Sequence, residues 1–460
     1  MVFNILAGAL LTVTAHMADA PTPVDTKAIT AALETRIEYG SGVGYFVGVI
    51  NGDQQQILTA GLARKTGGLP LSENSLFEIG SITKTFTGIL LADMILKGEV
   101  TLDDPVTSLL PAGTVLPIRN GQNITLGHLV THSSGLPRLP SNLVPADISN
   151  PYVDYSVADM YEFLSGYTLP RDIGETVEYS NLGMGLLGHV LALKTEQSYE
   201  ELVTERIFKP LGMSDSSITI SEKQRPNFTD GHDASGDATS HWDLPTLAGA
   251  GAIRSSGRDM MKYLAANMGL TSSALSPAIE MSHKFQRDFG QNNMHIGFAW
   301  ITVTNDAGDM TWHNGGTGGY RSFLGMNKTT KTGVLVLANS SDNADAIAHG
   351  ILNGTVTSLV VTEQKEIALS AEVLAKYIGE YQLAPTFSIT ITFEDDILWG
   401  QATGQDRFRL FAKGSNEFFL KAVEASVTFV EGEAGDIVSM VFHQGGADLP
   451  GQKLEPKNPT

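Results

Sequence analysis

Ser81 and Lys84 sit three residues apart in the stretch FEIGSITKTFTGILLADMILKGEV. On a helix that spacing puts both side chains on one face, with Cβ atoms about 5–6 Å apart. A helix N-terminus adds partial positive charge and free backbone N–H groups, which suit an anionic transition state. A serine hydroxyl is a weak nucleophile until a base takes its proton. A lysine can be that base when desolvation or a nearby cation lowers its pKa. Ile79, Ile82 and Phe86 surround the pair and favour burial. Taken alone, the same letters also fit an N-cap serine followed by a surface lysine, because Ser-x-x-Lys is a short pattern.

A second stretch, GETVEYSNLGMGLLGHV, carries Tyr179 and Asn181 just before an apolar helical pattern. A tyrosine hydroxyl near an ammonium group can have its pKa lowered and relay a proton. Asn181, two residues on, can point the same way from an extended segment and hold a substrate amide. The plainer alternative is an asparagine capping the next helix and a tyrosine packed on the core.

In the order Ser-x-x-Lys, Tyr-x-Asn and then a Gly-rich strand, the chain resembles the penicillin-recognising serine hydrolases. That group contains class C β-lactamases, D-alanyl-D-alanine carboxypeptidases, D-aminopeptidases and family VIII carboxylesterases. The resemblance runs over roughly residues 30 to 345 and includes ITLGHLVTHSSGLP, IFKPLGMSDS and AGAGAIRSSGRDM. Tyr-x-Asn and the setting FEIGSITKTFTG point to the class C side. The resemblance implies Ser81 as the acylated nucleophile and Lys84 as the group that activates it. It implies that Tyr179 exchanges protons with the serine oxygen, the leaving group and the hydrolytic water, and that Asn181 binds the acyl amide. It also implies an oxyanion hole from the backbone N–H groups of Ser81 and Gly316. No metal and no cofactor is called for.

Two triplets compete for the third element, His313-Asn314-Gly315 in MTWHNGG and Lys331-Thr332-Gly333 in NKTTKTG. The second matches Lys-Thr-Gly, the class C motif, letter for letter. Its polar surroundings lie between RSFLGM and VLVLAN and read as a hairpin turn. The first ends a strand and leads into a Gly-rich link where substrate can approach the backbone. His313, Asn314, Gly315 and Gly316 are therefore assigned to substrate binding. His313 is expected to donate a hydrogen bond and to be cationic only part of the time near neutral pH. That puts efficient β-lactam hydrolysis in doubt and widens the substrate range to D-alanyl peptides and esters.

These residues need a scaffold. Thr26 to Tyr39, Ser81 to Lys97, Ser156 to Ser165 and Leu182 to Thr195 read as helices. Gly44 to Asn51, Gln55 to Ala63, Arg321 to Met326 and Val334 to Ala338 read as strands. The expected fold class is α+β: an antiparallel sheet built from both ends of the domain, helices on both faces and an inserted helical region. Beyond Tyr377, short alternating runs at regular spacing predict a small all-β barrel or sandwich, which resembles the lipocalin-like domain attached to some relatives. The expected division is a signal peptide over 1–20, a hydrolase domain over 21–362, a linker over 363–372 and the β domain over 373–460.

The signal peptide rests on the apolar run Val2 to Val13 and the small-x-small pattern Ala18-Asp19-Ala20, although no Lys or Arg precedes the run. A periplasmic or secreted protein follows. The net charge of -20 argues against nucleic acid and anionic membrane as partners. The absence of cysteine excludes disulfides, thiolate metal sites and a cysteine nucleophile. The Gly183-to-Gly188 match to GxGxxG has no preceding strand and is discounted as a dinucleotide site. TDGHDASGDATSHWD, with His232 and His241, reads as a solvated loop near the cleft. His132, Ser133 and Ser134 read as a helix end shaping the site wall.

The leading expectation is a serine hydrolase that acts through an acyl-enzyme on β-lactam or D-alanyl-type amide substrates, with a small molecule or short peptide as its partner. A short-chain carboxylesterase is the alternative, and a non-catalytic penicillin-binding or sensor protein is the alternative of another class.

Overall fold

The computed structural model describes residues 25–454 apart from 235, 291–292, 307, 354–363, 385–386, 404–406, 422–424 and 445–446. The stretch read as a signal peptide lies outside the described residues.

Nine antiparallel strands form one sheet. In spatial order they are Leu69–Pro70, Gln54–Arg64, Gly44–Asn51, Thr332–Ala338, Arg321–Asn327, Gly308–Gly316, Ile301–Asn305, Met294–Ile296 and Arg287–Asp288. Gly44–Asn51 pairs with Thr332–Ala338, so the two ends of the domain meet at its centre, as the sequence predicts. Side chains alternate across a strand. Tyr45, Val47 and Val49 join Val334 and Val336 on one face, against Ile29, Leu33 and Ile347 of the helices Thr26–Tyr39 and Ala344–Leu352. Phe46 and Ile50 face the other way with Leu335 and Leu337, into the larger core that contains the inserted helices. Burial on both faces explains why GYFVGVIN is almost wholly apolar rather than alternating.

The axis of that larger core is helix Thr83–Leu96, whose residues from Thr83 to Met94 are all buried. Helix Asn181–Thr195 packs beside it. There the Gly183-to-Gly188 run allows close approach, since a Cβ on Gly188 would stand 2.8 Å from Gly249 Cα. Gly249 belongs to the short helix Ala248–Gly251. The GxGxxG letters thus report helix packing.

The C-terminal segment closes into an eight-stranded antiparallel barrel in sequential order. Six of its strands match the runs read from the sequence. The other two, Gly379–Ala384 and Ala447–Lys453, pair with each other and close the barrel. They escape a pattern search because each buries only one residue, Tyr381 and Gly451 respectively. The interior is filled by side chains including Tyr377, Tyr381, Phe418 and Phe429. Residues Gln364 and Lys421 touch Tyr39 of the first helix, through a backbone N–H to its hydroxyl and an ammonium over its ring.

Candidate active site

Ser81 lies in a single 3₁₀ turn, Gly80–Ile82, that runs directly into helix Thr83–Leu96. Lys84 is therefore on the first helical turn, and its Nζ stands 2.8 Å from Ser81 Oγ. Nζ also donates to the Ala250 carbonyl oxygen at 2.6 Å. Lys84 is fully buried, and among the described residues no carboxylate pairs with it. Burial, aided by the charge of Arg138, holds its pKa well below the ordinary lysine value. The surface-lysine alternative is thereby removed.

Tyr179 sits over the same pair. Lys84 Nζ is 4.9 Å from its ring centroid, and Ser81 is close enough to its hydroxyl to influence its pKa. Burial pushes that pKa up to about 12, against the downward pull of Ser81 and of Arg138. This corrects the sequence expectation of a lowered tyrosine pKa. Burial disfavours the charge on both groups, lowering the pKa of the lysine and raising that of the tyrosine.

Asn181 is not in an extended segment. It is the first residue of its helix, capped by Ser180, whose Oγ accepts from Gly183 N at 2.8 Å and donates to the Pro137 carbonyl at 2.7 Å. Asn181 still lines the cleft, and its Oδ1 is buried without a hydrogen-bond partner among the described residues. The cap is serine, so the reading of Asn181 as the helix cap fails.

His313, Asn314, Gly315 and Gly316 form the end of strand Gly308–Gly316. A Cβ on Gly315 would stand 2.2 Å from the Ile79 carbonyl and 2.9 Å from Ser81 N. Only glycine lets this strand lie against the backbone of the Ser81 turn. On the other side of the contact, Gly80 has φ 51° and would place a Cβ 2.7 Å from Gly316 N. The Ser81 and Gly316 backbones are thus held across one narrow gap, and Ser322 Oγ fastens it by donating to the Ile79 carbonyl at 2.8 Å.

His313 points inward and is buried. Its Nδ1 is 2.6 Å from the Asn314 carbonyl, which can only accept, so the proton is on Nδ1 and Nε2 is an acceptor with no partner among the described residues. Burial and then Lys84 push its pKa down to about 3, against the pull of that carbonyl. The imidazole is neutral throughout the physiological range, which corrects the expectation of a part-time cation. The pleat turns Asn314 to the opposite face, where its Nδ2 donates to Asp345 at 2.6 Å; its side chain does not reach the cleft.

Lys331 lies in the turn between the strands Arg321–Asn327 and Thr332–Ala338, with φ +55°. Its carbonyl accepts from Gly52 N at 2.9 Å. That is the end of the sheet opposite the Gly316–Arg321 pair. Seven residues of strand separate the two ends, roughly 20 Å.

Several residues of the site carried no signal of their own in the sequence. Tyr152, Trp242, Leu244 and Leu247 make an apolar wall for the cleft. They come from loops with no periodic pattern. His132 was read as part of the site wall and is: its ring lies 4.6 Å from that of Tyr179, and its Nδ1 accepts from Ser180 N at 3.2 Å. TDGHDASGDATSHWD is not simply a solvated loop. His232 is buried against the Asn339 carbonyl, and His241 stacks on Phe228. No cluster able to hold a metal occurs among the described residues. Every described residue lining the cleft falls between 80 and 317, so no described residue of the barrel lines it.

The chain belongs to the β-lactamase family, whose model matches residues 29–354. A second model, described as a domain of unknown function, DUF3471, matches residues 363–455. Penicillin-binding protein 4* of Bacillus subtilis is 25% identical over 422 residues, covering 84% of this chain and 90% of that protein. The D-alanyl-D-alanine-carboxypeptidase/endopeptidase AmpH of Escherichia coli is 28% identical over 322 residues, covering 66% of this chain and 82% of that protein. Among solved structures, a class C β-lactamase superposes with a TM-score of 0.62 at 23% identity, over 71% of this chain and 95% of its own. The D-alanine carboxypeptidase AmpC of Burkholderia cenocepacia gives 0.62 at 21% identity, over 71% and 98%. The chain is a serine hydrolase of this family. No helix among its described residues is long and apolar enough to cross a membrane.

Proposed function

We propose that the protein hydrolyses D-alanyl-type amides or β-lactams through an acyl-enzyme on Ser81. The observation that carries this reading is the buried, carboxylate-free Lys84 amine 2.8 Å from Ser81 Oγ. The unprotonated amine takes the Oγ proton as Oγ attacks the substrate carbonyl carbon. The Ser81 and Gly316 N–H groups receive the developing oxyanion. Tyr179, a phenol at rest, gives its proton to the leaving nitrogen and regains one from the lysine. Water then attacks the acyl-enzyme by the reverse sequence and frees Ser81. Asn181 Oδ1 is free to accept the N–H of the substrate's acyl amide. His313 Nε2, an inward-facing acceptor, orients hydroxyl protons near Tyr179.

An ester substrate is the second reading, favoured by the neutral His313, since this position adds no charge to hold a carboxylate. Three substrates separate the two readings: nitrocefin, a D-alanyl-D-alanine peptide and p-nitrophenyl butyrate, each with wild type and Ser81→Ala. Turnover of the first two with a mass-detected Ser81 adduct supports the amide reading. Turnover of the ester alone replaces it with the second.

The reading includes two further parts. Residues 21–362 act as the hydrolase and 373–460 as a separate lipocalin-like barrel joined by 363–372; the family matches, over 29–354 and 363–455, support a boundary between 354 and 363. The N-terminal apolar run directs export to the periplasm or medium.

A further inference from the structure

We propose that Arg138 anchors the substrate's carboxylate on the leaving-group side of the scissile bond. The inference rests on the hydrolase reading above and deepens it. D-alanyl peptides and penicillins both carry a carboxylate close to the bond that is broken, and a carboxylate entering a cleft needs a cation or several donors to replace its water. None of the residues that line this cleft has a charged side chain. Lys84 is committed to Ser81 and the Ala250 carbonyl. The imidazoles of His132 and His313 are buried and neutral. Arg254 is held by Glu78 and Asp243. Arg321 donates to the Thr317 and Tyr320 carbonyls.

Arg138 differs from all of these. Its side chain is exposed, and its guanidinium carbon stands 5.1 Å from the Tyr179 ring centroid. Among the described residues it makes no ion pair and no side-chain hydrogen bond. A guanidinium resting on an aromatic face keeps its N–H edge free, and that edge matches a carboxylate in two-pronged fashion. Its backbone is fixed as well. The Arg138 carbonyl accepts from the N–H groups of Asn181 (3.0 Å) and Leu182 (3.2 Å), and the preceding Pro137 carbonyl accepts from Ser180 Oγ. The cation is therefore tied to the turn that presents Tyr179, one ring away from Ser81. The position on the Gly-rich strand, filled here by a buried neutral histidine, leaves this task open to the guanidinium over Tyr179.

The test is a pair of aryl esters with one acyl group, differing only in a meta-carboxylate on the phenol leaving group. Both use the same lysine base, so any effect of Arg138 on Lys84 cancels in the ratio of their kcat/KM values. Wild type is expected to favour the anionic ester, and the preference should shrink as ionic strength rises. Arg138→Gln is expected to lower that ratio about ten- to hundredfold, mainly through KM, as for loss of a hydrogen-bonded charge. Arg138→Lys should recover part of it. A ratio within twofold of wild type in Arg138→Gln, or no preference in wild type, overturns the proposal. If neither ester labels Ser81, the hydrolase reading itself has failed, which the intact mass distinguishes from failure of the anchor.

Discussion

Arg36, Tyr45 and Asp342 are buried between the sheet and its outer helices, while Lys84, His132 and His313 are buried on the other face beside Ser81. The first group is paired. Arg36 donates twice to Asp342 at 2.9 Å, and the Tyr45 hydroxyl donates to the same carboxylate. The second group contains three bases and no acid. Burial without a counter-ion disfavours the charged form, so the pKa of each is pushed down. The same low-dielectric environment makes one cluster a clamp between the Thr26–Tyr39 helix and the segment after Ala338, and the other a set of proton acceptors. What separates them is the presence of a carboxylate.

Removing the hydroxyl should have the largest effect. Ser81→Ala is expected to lower kcat by about 10⁴–10⁶ and to abolish the mass adduct, with the melting temperature unchanged within about 2 °C. Lys84→Met keeps the volume and removes the base, so kcat should fall about 10²–10⁴. This variant should also be more stable than wild type. The folded pKa of Lys84 is depressed, so the unfolded chain binds more protons and wild-type stability rises with pH through that interval. The advantage of Lys84→Met in denaturant melts should accordingly be absent above the ordinary lysine value of 10.5 and grow as pH falls below it. A destabilised Lys84→Met would break the contrast, because it would mean the amine is stabilised where it lies.

Asp342→Ala should do the reverse. It removes the carboxylate that pairs with the buried Arg36, which is expected to destabilise the fold by about 3–5 kcal/mol. Turnover per folded molecule, measured below the new melting temperature, should stay within about threefold. In acid the neutral histidines add a smaller effect. His313 has a folded pKa of about 3 against an ordinary 6.5, so its contribution to stability is present above 6.5 and is lost as pH falls towards 3. A pH series of urea melts on wild type and His313→Gln should show a shallower acid slope for the variant. Smallest of all, Lys331→Ala should leave the turnover of all three substrates within about twofold, since the residue lies at the far end of the sheet.

Much of this was readable from the letters. The helix Thr26–Tyr39 and the strand Gly44–Asn51 appear at the expected limits because the first has a periodic apolar pattern, the second a short continuous apolar run, and both a clear stop. Ser81 and Lys84 meet because a three-residue spacing is local geometry. The placement of His313 against Lys331 could also be argued locally, from a strand ending in glycines and from a polar turn. Asn314 could not be placed so easily, since which face of a strand meets the cleft depends on the neighbouring strands. The two barrel strands that close the ring have almost no buried side chains to mark them. The apolar wall of Tyr152, Trp242, Leu244 and Leu247 is gathered from segments 90 residues apart.

The sequence by itself determined the family, the order of the elements, and the pairing of a serine with a lysine on one helical turn, because these depend on local spacing and periodicity. Only the tertiary structure decided the protonation states. Nothing in the spacing of Lys84, Tyr179 and His313 says which will be charged. That is set by how completely each is removed from water and by which carboxylates stay away, and both depend on distant segments brought together. Folding lowered the pKa of a lysine, kept a tyrosine as a phenol, made a histidine neutral, and left Arg138 exposed at Tyr179.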